Sequence, residues 1–237
     1  MSHPSEQLVA IVPAAGIGSR MGAEIPKQYL LLDERCILSH TLSVLLSHEQ
    51  VSMVIVALHP NDTLFSTLPE ASHPKLVTVI GGDERADSVL AALRCAQQRQ
   101  FDGWALVHDA ARPCLTHSDI DALLASRTRF ANGAILAMPV RDTMKRGNSD
   151  GVISDTVSRD NLWHALTPQL FPVASLAANL NAALAQGIAI TDEASAMEWA
   201  GVAPGLVPGR ADNIKVTHPD DLALARLFIG SHHGVIG

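Results

Sequence analysis

Cysteine is scarce in this chain of 237 residues. The three cysteines, Cys36, Cys95 and Cys114, are odd in number and far apart, and no C-x-x-C pair occurs. This pattern predicts neither a disulfide framework nor a zinc finger. We interpret the three residues as reduced thiols of a cytoplasmic protein.

Basic residues are in the minority. The chain has 17 Lys and Arg against 24 Asp and Glu, which gives a net charge of −7 when histidine is neutral. This balance argues against nucleic acid or an anionic membrane surface as a partner. It does not exclude a small anionic ligand, because such a ligand meets a local site rather than the net charge.

The chain also lacks a segment suited to a membrane. Residues 161–191 carry no charged side chain, but they include two prolines and several amides, which are too costly for a spanning helix. The opening MSHPSEQ lacks the basic-then-apolar order of a signal peptide. With 47% hydrophobic and 17% charged residues, disorder is excluded, and we expect a folded cytoplasmic protein.

Short apolar runs alternate with helical patterns along the chain. The runs typical of buried parallel strands are residues 8–12, 53–58, 76–80, 104–107 and 134–140. The helical patterns are residues 37–46, 86–96, 120–124 with Ser118 as the N-cap, and 176–184, which ends near Gly187. This alternation predicts a Rossmann-like, three-layer α/β fold with a mostly parallel sheet.

Residues 141–159 break this alternation with a polar stretch. A turn cluster at 147–151 separates residues 143–146 from residues 152–157, which predicts an extended β-hairpin. The hairpin is either a surface flap or an arm that embraces a second subunit, and the residues favour neither. We therefore expect one domain, 1–237, with a β-arm insertion at about 141–159.

The loop after the first strand carries the strongest functional signal. Its sequence, PAAGIGSRMG at residues 13–22, has small residues that let backbone N–H groups approach an anion. A dinucleotide-binding loop would need Gly in place of Met21, and the Gly-Lys-Ser/Thr of a P-loop is missing. Arg20 and Lys27 would place two cations beside bound phosphates, which suits attack at phosphorus.

This loop and the PKQY that follows at residues 26–29 resemble the sugar-nucleotide-forming nucleotidyltransferases, and within them the 2-C-methyl-D-erythritol 4-phosphate cytidylyltransferase family of the non-mevalonate isoprenoid pathway. Further segments similar to that family are GGDERADSV at 81–89, VHDAARP at 107–113, PVRDTMK at 139–145, RDNLW at 159–163, TPQ at 167–169, TDEA at 191–194 and GRADNIKVT at 209–217. Motifs in one order over nearly the whole chain are far more specific than any one of them.

The resemblance implies a nucleotidyltransferase fold and reaction. The phosphate of 2-C-methyl-D-erythritol 4-phosphate would attack the α-phosphate of CTP, giving 4-diphosphocytidyl-2-C-methyl-D-erythritol and pyrophosphate. Arg20, Lys27 and Lys215 would be the catalytic residues. A Mg²⁺ ion would bridge the phosphates of CTP, and we expect no metal site made of protein ligands, because the histidines lack ligand spacing.

The resemblance also implies the binding residues. Those for the nucleotide are Ala14, Ala15, Gly16, Gly18, Gly82, Asp83 and Ser88. Those for 2-C-methyl-D-erythritol 4-phosphate are Asp109, Arg112, Thr143, Arg159, Thr191 and Lys215. In the family the arm reaches across a homodimer, so Thr143 and Arg159 beside the hairpin would complete the partner's site.

Some of these residues have simpler explanations. Asp109 and Thr191 could each cap a helix, since Thr191 precedes two acidic residues. Lys215 lies between two apolar residues, which on a strand would place it on the opposite side from both, where a cation is often only solvated. His108 is expected to be structural, because the family's chemistry needs no histidine base.

Other functions stay open from the residues. One is a cytidylyltransferase for another polyol phosphate, such as ribitol 5-phosphate. A catalytically idle nucleotide-binding module is another, although a binder would not need both Arg20 and Lys27. A nicotinamide oxidoreductase is the weakest, because the loop lacks the third glycine at the required spacing.

Overall fold

One sheet of seven strands forms the centre of the part that the computed structural model describes, residues 7–16 and 25–233. The described strands are β1 (Leu8–Pro13), β2 (Leu31–Leu32), β3 (Arg35–Cys36), β4 (Val51–Leu58), β5 (Leu76–Ile80), β6 (Trp104–Val107), β7 (Ala134–Pro139), β8 (Met144–Gly147), β9 (Ile153–Val157), β10 (Trp163–Pro172) and β11 (Gly205–Pro208). The described α-helices are α1 (Ile37–Ser47), α2 (Arg85–Gln98), α3 (His117–Ser126), α4 (Val173–Ala185), α5 (Glu193–Trp199) and α6 (Pro219–His233).

The order of strands in the sheet is β11-β7-β10-β6-β1-β4-β5. Strand β1 pairs in parallel with β4 and β6, β4 pairs in parallel with β5, and β7 pairs in parallel with β11. Strand β10 is antiparallel to both of its neighbours, β6 and β7. The mostly parallel α/β sheet that the sequence predicts is therefore confirmed.

Helices cover both faces of the sheet. In β1, Leu8, Ala10 and Val12 pack into one core with α1 and α3, whereas Val9 and Ile11 pack into a second core with α2, α4 and α5. All five side chains are fully buried. Because both faces are covered, the strand needs an apolar side chain at every position, which explains its continuous apolar run.

Apolar runs do not predict β10, β11 and α6. Strand β10 contains Pro168, and a proline argues against a central strand because it cannot donate a ladder hydrogen bond. The register between β10 and β7 shifts between Ala165 and Gln169, so Pro168 lies where the ladder is already interrupted.

The predicted Ser118 cap is wrong: Thr116 and Asp119 form a capping box at the start of α3.

Strands β8 and β9 pair as an antiparallel hairpin separate from the main sheet. Met144 lies opposite Val157, and Lys145 lies opposite Thr156. The hairpin is exposed along nearly its whole length, including the apolar side chains of Met144, Val152 and Ile153. The fold of a single chain therefore leaves these three apolar side chains in contact with solvent.

Membrane segments and disulfides are both missing from the described part of the chain. Among the described residues, no helix combines the length and the apolar character that crossing a bilayer requires. Cys36, Cys95 and Cys114 form no disulfide, and Cys36 and Cys114 are buried. Buried thiols of this kind pack as small apolar groups.

Candidate active site

Three loops meet at the carboxyl edge of the sheet. They follow β1, β5 and β6, whose strands run in parallel, so their carboxyl ends share one edge. Backbone pairing continues past the strands, since Ala14 N–H donates to Ala57 O at 2.8 Å and Gly81 N–H donates to Leu58 O at 2.8 Å. A cleft opens between these loops, at the place where open α/β sheets bind ligands.

We call this opening the main cleft. Its walls combine the start of the glycine loop, the turn after β5, the loop after β6 and two lysines from elsewhere. The lining residues are Pro13, Ala14, Ala15, Gly16, Lys27, Gln28, Gly82, Asp83, Glu84, Arg85, Ser88, Asp109, Ala110, Ala111 and Lys215.

The start of the glycine loop is held by Gln28. Its side-chain amide is buried and donates to Ala14 O at 2.8 Å and to Gly16 O at 3.1 Å. The neighbouring Tyr29 donates to Asp62 Oδ2 at 2.6 Å, and burial together with that carboxylate raises the pKa of Tyr29 above its ordinary value. Lys27 directly precedes these two anchored residues and donates to Val216 O at 3.3 Å. The anchors therefore fix where the lysine enters the main cleft.

The turn after β5 requires glycine because its backbone approaches two neighbours closely. A Cβ on Gly81 would lie 2.6 Å from Ala15 Cβ and 2.6 Å from Ser88 Oγ. The Gly82 N–H donates to Ser88 Oγ at 3.2 Å. Ser88, in the first turns of α2, thus holds the backbone of this turn beside the glycine loop.

A cluster of charges lies at the floor of the main cleft, centred on Asp109. Oδ1 of Asp109 accepts from Arg85 Nε at 2.9 Å, and Oδ2 lies 2.8 Å from Lys215 Nζ. The same Oδ2 lies 3.6 Å from Arg112 Nε. Burial alone would raise the pKa of Asp109, but the charges of Arg85, Lys215 and Arg112 outweigh it and hold that pKa well below its ordinary value.

Arg85 links this cluster to a second buried carboxylate. Arg85 Nη1 donates to Glu193 Oε1 at 2.6 Å, and Nη2 donates to Oε2 at 3.1 Å. The side chain of Glu193 is only 2% exposed, although Glu193 begins a helix at the surface. A buried, bidentate arginine–carboxylate pair has a fixed geometry. Arg85 is therefore held from both sides.

A second cavity adjoins the main cleft, and we call it the side cavity. Its lining residues are Arg85, Asp109, Arg112, Ala165, Leu166, Thr167, Gln169, Thr191, Asp192 and Lys215. Arg85, Asp109 and Lys215 line both spaces. The charge cluster is thus the wall between two neighbouring binding spaces.

His108 supports this wall from behind and is fully buried. Its Nε2 donates to Arg112 O at 3.0 Å, and its Nδ1 accepts from the Thr167 hydroxyl at 2.9 Å. The same hydroxyl accepts from Asp109 N–H at 3.1 Å. Burial lowers the pKa of His108 to about 4, so the ring is neutral and orients the backbone beside Asp109. The expected structural role of His108 agrees with this geometry.

The structure brings most of the predicted site residues together. Those in the main cleft are Ala14, Ala15, Gly16, Lys27, Gly82, Asp83, Ser88, Asp109 and Lys215. Arg112 and Thr191 line the side cavity. Thr143 and Arg159 are exposed beside the hairpin and line neither space. Gly18 and Arg20 lie outside the described residues.

Two local expectations need correction. Asp192, not Thr191, caps α5, because its side chain accepts from Ser195 N–H at 2.9 Å. Lys215 does not lie on a strand: Val216 N–H donates to Ala111 O, and Lys215 lines the main cleft from a segment outside the sheet. The alternation is kept, since Val216 is buried and Lys215 is exposed. Asp109, in turn, binds cations rather than capping a helix.

Sequence reasoning assigned no role to Arg85, Glu193 or Gln28. Arg85 and Glu193 occur in the motif segments 81–89 and 191–194, but the two segments are far apart in the chain. The only available signal was their position inside motifs, because neither residue has a periodicity that indicates its partner. Gln28 likewise stands next to Lys27 without a pattern that indicates two backbone acceptors.

The geometry can now be compared with known proteins. Residues 8–231 match the model of the 2-C-methyl-D-erythritol 4-phosphate cytidylyltransferase family. The chain belongs to this family. A relative of that description from Shewanella denitrificans is 72% identical over 93% of this chain and 90% of its own, and one from Shewanella sediminis is 67% identical over 99% of each.

Solved structures from the family agree with the fold. A crystal structure of 4-diphosphocytidyl-2C-methyl-D-erythritol synthase has a TM-score of 0.82 at 36% identity and covers 94% of this chain and 99% of its own. The 2-C-methyl-D-erythritol 4-phosphate cytidylyltransferase of Francisella tularensis has a TM-score of 0.81 at 33% identity, with the same coverage. The predicted nucleotidyltransferase fold is therefore confirmed.

The carboxylates of the main cleft offer little to a metal ion by themselves. Both oxygens of Asp109 already contact cations, and Glu84 is the N-cap of α2. Asp83 is the exposed carboxylate that remains. Among the described residues, no three side chains of His, Cys, Asp or Glu gather as a metal-binding group. The main cleft therefore fits a divalent ion that binds chiefly through a ligand's own oxygens.

Proposed function

We propose that this chain transfers the cytidylyl group of CTP to 2-C-methyl-D-erythritol 4-phosphate, in the synthesis of isoprenoid precursors. The products are 4-diphosphocytidyl-2-C-methyl-D-erythritol and pyrophosphate. Family membership supports the identity of both substrates. The observation that carries the proposal is the pair of adjoining spaces, which share Arg85, Asp109 and Lys215 at their boundary.

The reaction needs an in-line displacement at phosphorus. A phosphate oxygen of the acceptor forms a bond to the α-phosphorus of CTP, and the bond from that phosphorus to the bridging oxygen of pyrophosphate breaks. No covalent intermediate with the enzyme is required, so catalysis consists of positioning and charge stabilisation. Lys27 and Lys215, which enter the main cleft from different segments, are suited to stabilise the negative charge at the α-phosphate, and we assign Arg20 the same role.

We place CTP in the main cleft. The backbone of Ala14, Ala15 and Gly16, continued by Gly18, would surround the phosphates and the ribose. The turn at Gly82 and Asp83 would read the cytosine, because backbone carbonyls can accept from its exocyclic amine and would repel the carbonyl of uracil. The support for this assignment is that Ser88 holds that turn rigidly beside Ala15.

We place the acceptor phosphate on the side cavity. Arg112, Thr191 and Lys215 line that space and would bind the phosphate and the polyol. Because Asp192 caps α5, the Thr191 side chain is not required as a cap. Asp109 would keep Lys215 between the two substrates, where one cation serves both.

A magnesium ion would complete the charge balance of CTP. It would be held chiefly by phosphate oxygens and water. When bound, the ion neutralises phosphate charge and polarises the α-phosphorus. The chain itself would supply the remaining contacts: Lys27 and Lys215 bind the phosphates, and the turns at 14–16 and 81–82 orient the nucleotide.

We also propose that the hairpin is a dimer arm. Its exposed Met144, Val152 and Ile153 are apolar side chains that a second subunit could cover. Thr143 and Arg159 line neither space of their own chain, so they would reach the substrate of the partner. Light scattering should give twice the chain mass, and removal of the apolar hairpin residues should lower it; a wild-type monomer at micromolar concentration would contradict the arm.

A cytoplasmic location belongs to the same proposal. Its support is chemical, since CTP is a cytoplasmic nucleotide and Cys36, Cys95 and Cys114 form no disulfide. We further expect neither nucleic acid nor a membrane as a partner, given the net charge of −7. Fractionation of cells that express the tagged protein would test the location directly.

The decisive experiment is pyrophosphate release in the presence of Mg²⁺. CTP, UTP and ATP are each combined with 2-C-methyl-D-erythritol 4-phosphate and with ribitol 5-phosphate. We expect rapid release only from CTP with 2-C-methyl-D-erythritol 4-phosphate. Release with ribitol 5-phosphate instead would overturn the acceptor, and CTP binding without release from any pair would identify an idle nucleotide-binding module.

A further inference from the structure

We propose that Glu193 is a positioning residue for both substrates, acting through Arg85 on Asp109 and Lys215. The inference rests on the proposed function for its assay, but its geometric basis is independent of it. It concerns a residue that lines neither the main cleft nor the side cavity.

Four side chains of alternating charge form the connection. Glu193 holds both terminal nitrogens of Arg85, at 2.6 and 3.1 Å. The remaining Nε of the same guanidinium donates to Asp109 Oδ1 at 2.9 Å. Asp109 Oδ2 then lies 2.8 Å from Lys215 Nζ. Each side chain contacts the next one, so a displacement of Glu193 can displace Lys215 through Arg85 and Asp109.

The guanidinium is planar, which makes the connection geometric as well as electrostatic. When its two terminal nitrogens are fixed on a carboxylate, the direction of its Nε–H bond is fixed too. That bond is the one that Asp109 accepts. A rotation of Arg85 would therefore turn the Asp109 carboxylate and change the oxygen available to Lys215.

Helix capping does not account for the buried carboxylate. Asp192 is the N-cap of α5, with its Oδ1 accepting from Ser195 N–H. Both oxygens of Glu193 point to Arg85 instead.

Stability does not account for it either. The cost of removing two charges from water offsets much of the attraction in a buried pair. What the pair provides without such an offset is a single orientation of Arg85.

The location of the cluster indicates what this orientation controls. Arg85, Asp109 and Lys215 are the residues that line both the main cleft and the side cavity. A misplaced Arg85 would thus affect CTP and the acceptor together. A residue that only stabilised the fold would change the amount of folded enzyme but not the rate of each folded molecule.

The test compares Glu193→Gln and Glu193→Asp with the control Glu198→Gln. In E193Q the new side-chain amide would turn N–H donors toward the donors of Arg85, and the Asp side chain in E193D is one methylene too short to hold both nitrogens. Glu198 lies on the same helix and is exposed, so its replacement removes the same charge without touching Arg85. Circular dichroism and the melting temperature establish the folded fraction of each variant.

We expect E193Q and E193D to lower kcat/KM roughly 10- to 100-fold for CTP and for the acceptor alike. E198Q should match the parent. Parental kcat/KM per folded molecule in E193Q would overturn the inference, whatever the melting temperature. Full activity in E193D would also overturn it, since charge alone would then suffice.

A double-mutant cycle tests the route through Arg85. Arg85→Lys keeps the charge but cannot contact Glu193 with two nitrogens and Asp109 with a third. R85K in the E193Q background should add little to the loss that E193Q causes, because both act at one link. Full additivity of the two losses would overturn the route. Should E193Q not fold, parental activity in R85K decides against the inference.

Failure of the proposed function can be recognised separately. In that case the parent itself releases no pyrophosphate from CTP and 2-C-methyl-D-erythritol 4-phosphate. Calorimetry with CTP then replaces the assay, and E193Q should bind CTP more weakly than E198Q. Equal CTP affinity in the two variants would overturn the inference on its own terms.

Discussion

In the main cleft, Asp109 is 7% exposed and contacts three cations of its own chain, whereas Arg159 beside the hairpin is exposed and donates to the backbone of Arg141. The cleft residues have their partners before any ligand arrives. The strands of the hairpin pair with each other and lie outside the seven-stranded sheet.

This difference separates two ways to place a cation at a substrate. Charges in the cleft are held in one orientation by buried hydrogen bonds, so little reorganisation is needed when phosphates bind. A cation on an exposed hairpin needs a second surface to hold it. The comparison therefore predicts that cleft variants fail within one chain, whereas hairpin variants fail through the partner.

The largest expected effect is in the cleft, with Lys27→Ala. In the proposed reaction Lys27 stabilises the transition state, so its removal should lower kcat roughly 100- to 1000-fold. CTP affinity should change less, since a transition-state contact contributes mainly to turnover. Steady-state pyrophosphate release and calorimetry with CTP separate the two quantities.

Lys75→Ala is the matched control for this variant. Lys75 precedes β5, at the amino edge of the sheet and opposite to the cleft, and its Nζ donates to Leu46 O and His48 O. We expect parental turnover in this control. A Lys27→Ala enzyme that lost CTP affinity and kept its kcat would place Lys27 in binding rather than catalysis.

The next effect tests the hairpin. If Arg159 completes the partner's substrate site as proposed, Arg159→Ala should lower kcat/KM roughly 10- to 100-fold without loss of the fold. An equal mixture of R159A and K27A chains should regain about a quarter of parental activity, since half of the dimers are mixed and each has one intact site. Pyrophosphate release after mixing measures this recovery.

The same mixing experiment can break the comparison. A mixture of two cleft variants, K27A and one at Asp109, should give no recovery, because each lesion disables the site of its own chain and no mixed dimer keeps an intact site. Failure of the R159A and K27A mixture to recover, in dimers shown to exchange, would mean that Arg159 acts within its own chain. A fully active R159A enzyme would remove Arg159 from the substrate site altogether.

A smaller effect is expected from Gly81→Ala. The added Cβ would meet Ala15 Cβ and Ser88 Oγ at 2.6 Å, so the turn must shift. Overpacking of this kind costs about 1–3 kcal/mol, and we expect CTP affinity to fall about 10-fold. Calorimetry measures the affinity.

Gly230→Ala supplies the control, because among the described residues no atom outside its own helix backbone lies within 4 Å of the new Cβ, and α6 favours alanine. Its CTP affinity should equal that of the parent. Unchanged affinity in G81A would show that the turn does not read the base.

The last effect is on stability rather than on activity, and it concerns the buried support of the cleft. The pKa of His108 is lowered to about 4 by burial, whereas in the unfolded chain it is about 6.5. The unfolded state therefore binds the extra proton as the pH falls below about 6.5, and the free energy of unfolding falls by up to about 1.4 kcal/mol per pH unit until pH about 4.

His108→Gln should remove this part of the pH dependence. Urea unfolding between pH 4 and 8 measures the free energy at each pH, and the exposed His164→Gln serves as control. The difference between parent and H108Q should shrink as the pH falls. A constant difference across this range would mean that the pKa of His108 is the same in the folded and the unfolded protein.

Local pattern was sufficient for much of the fold. Continuous apolar runs predicted β1, β4, β5, β6 and β7 to within about two residues, because strands covered on both faces need apolar side chains throughout. The same rule missed β10, whose Pro168 reads as a break in a strand. Its central position depends on pairing with β6 and β7, which are distant in sequence.

The candidate site divides in the same way. The resemblance implied Ala14, Gly16 and Gly82 as nucleotide-binding residues, and all three line the main cleft, in turns directly after strands. Lys215 was predicted to lie near a ligand, but its strand was wrong. Its position depends on the hydrogen bond from Val216 N–H to Ala111 O. The alternation of apolar and polar residues does not indicate that contact.

By itself, then, the sequence determined the layered α/β architecture and the position of the glycine-rich segment directly after β1. The tertiary structure alone decided that Arg85 meets Glu193 across 108 residues and that Asp109 meets Lys215. The physical reason is range. Helix and strand patterns repeat within a few residues, whereas an ion pair between distant segments depends on where the folded chain brings them together.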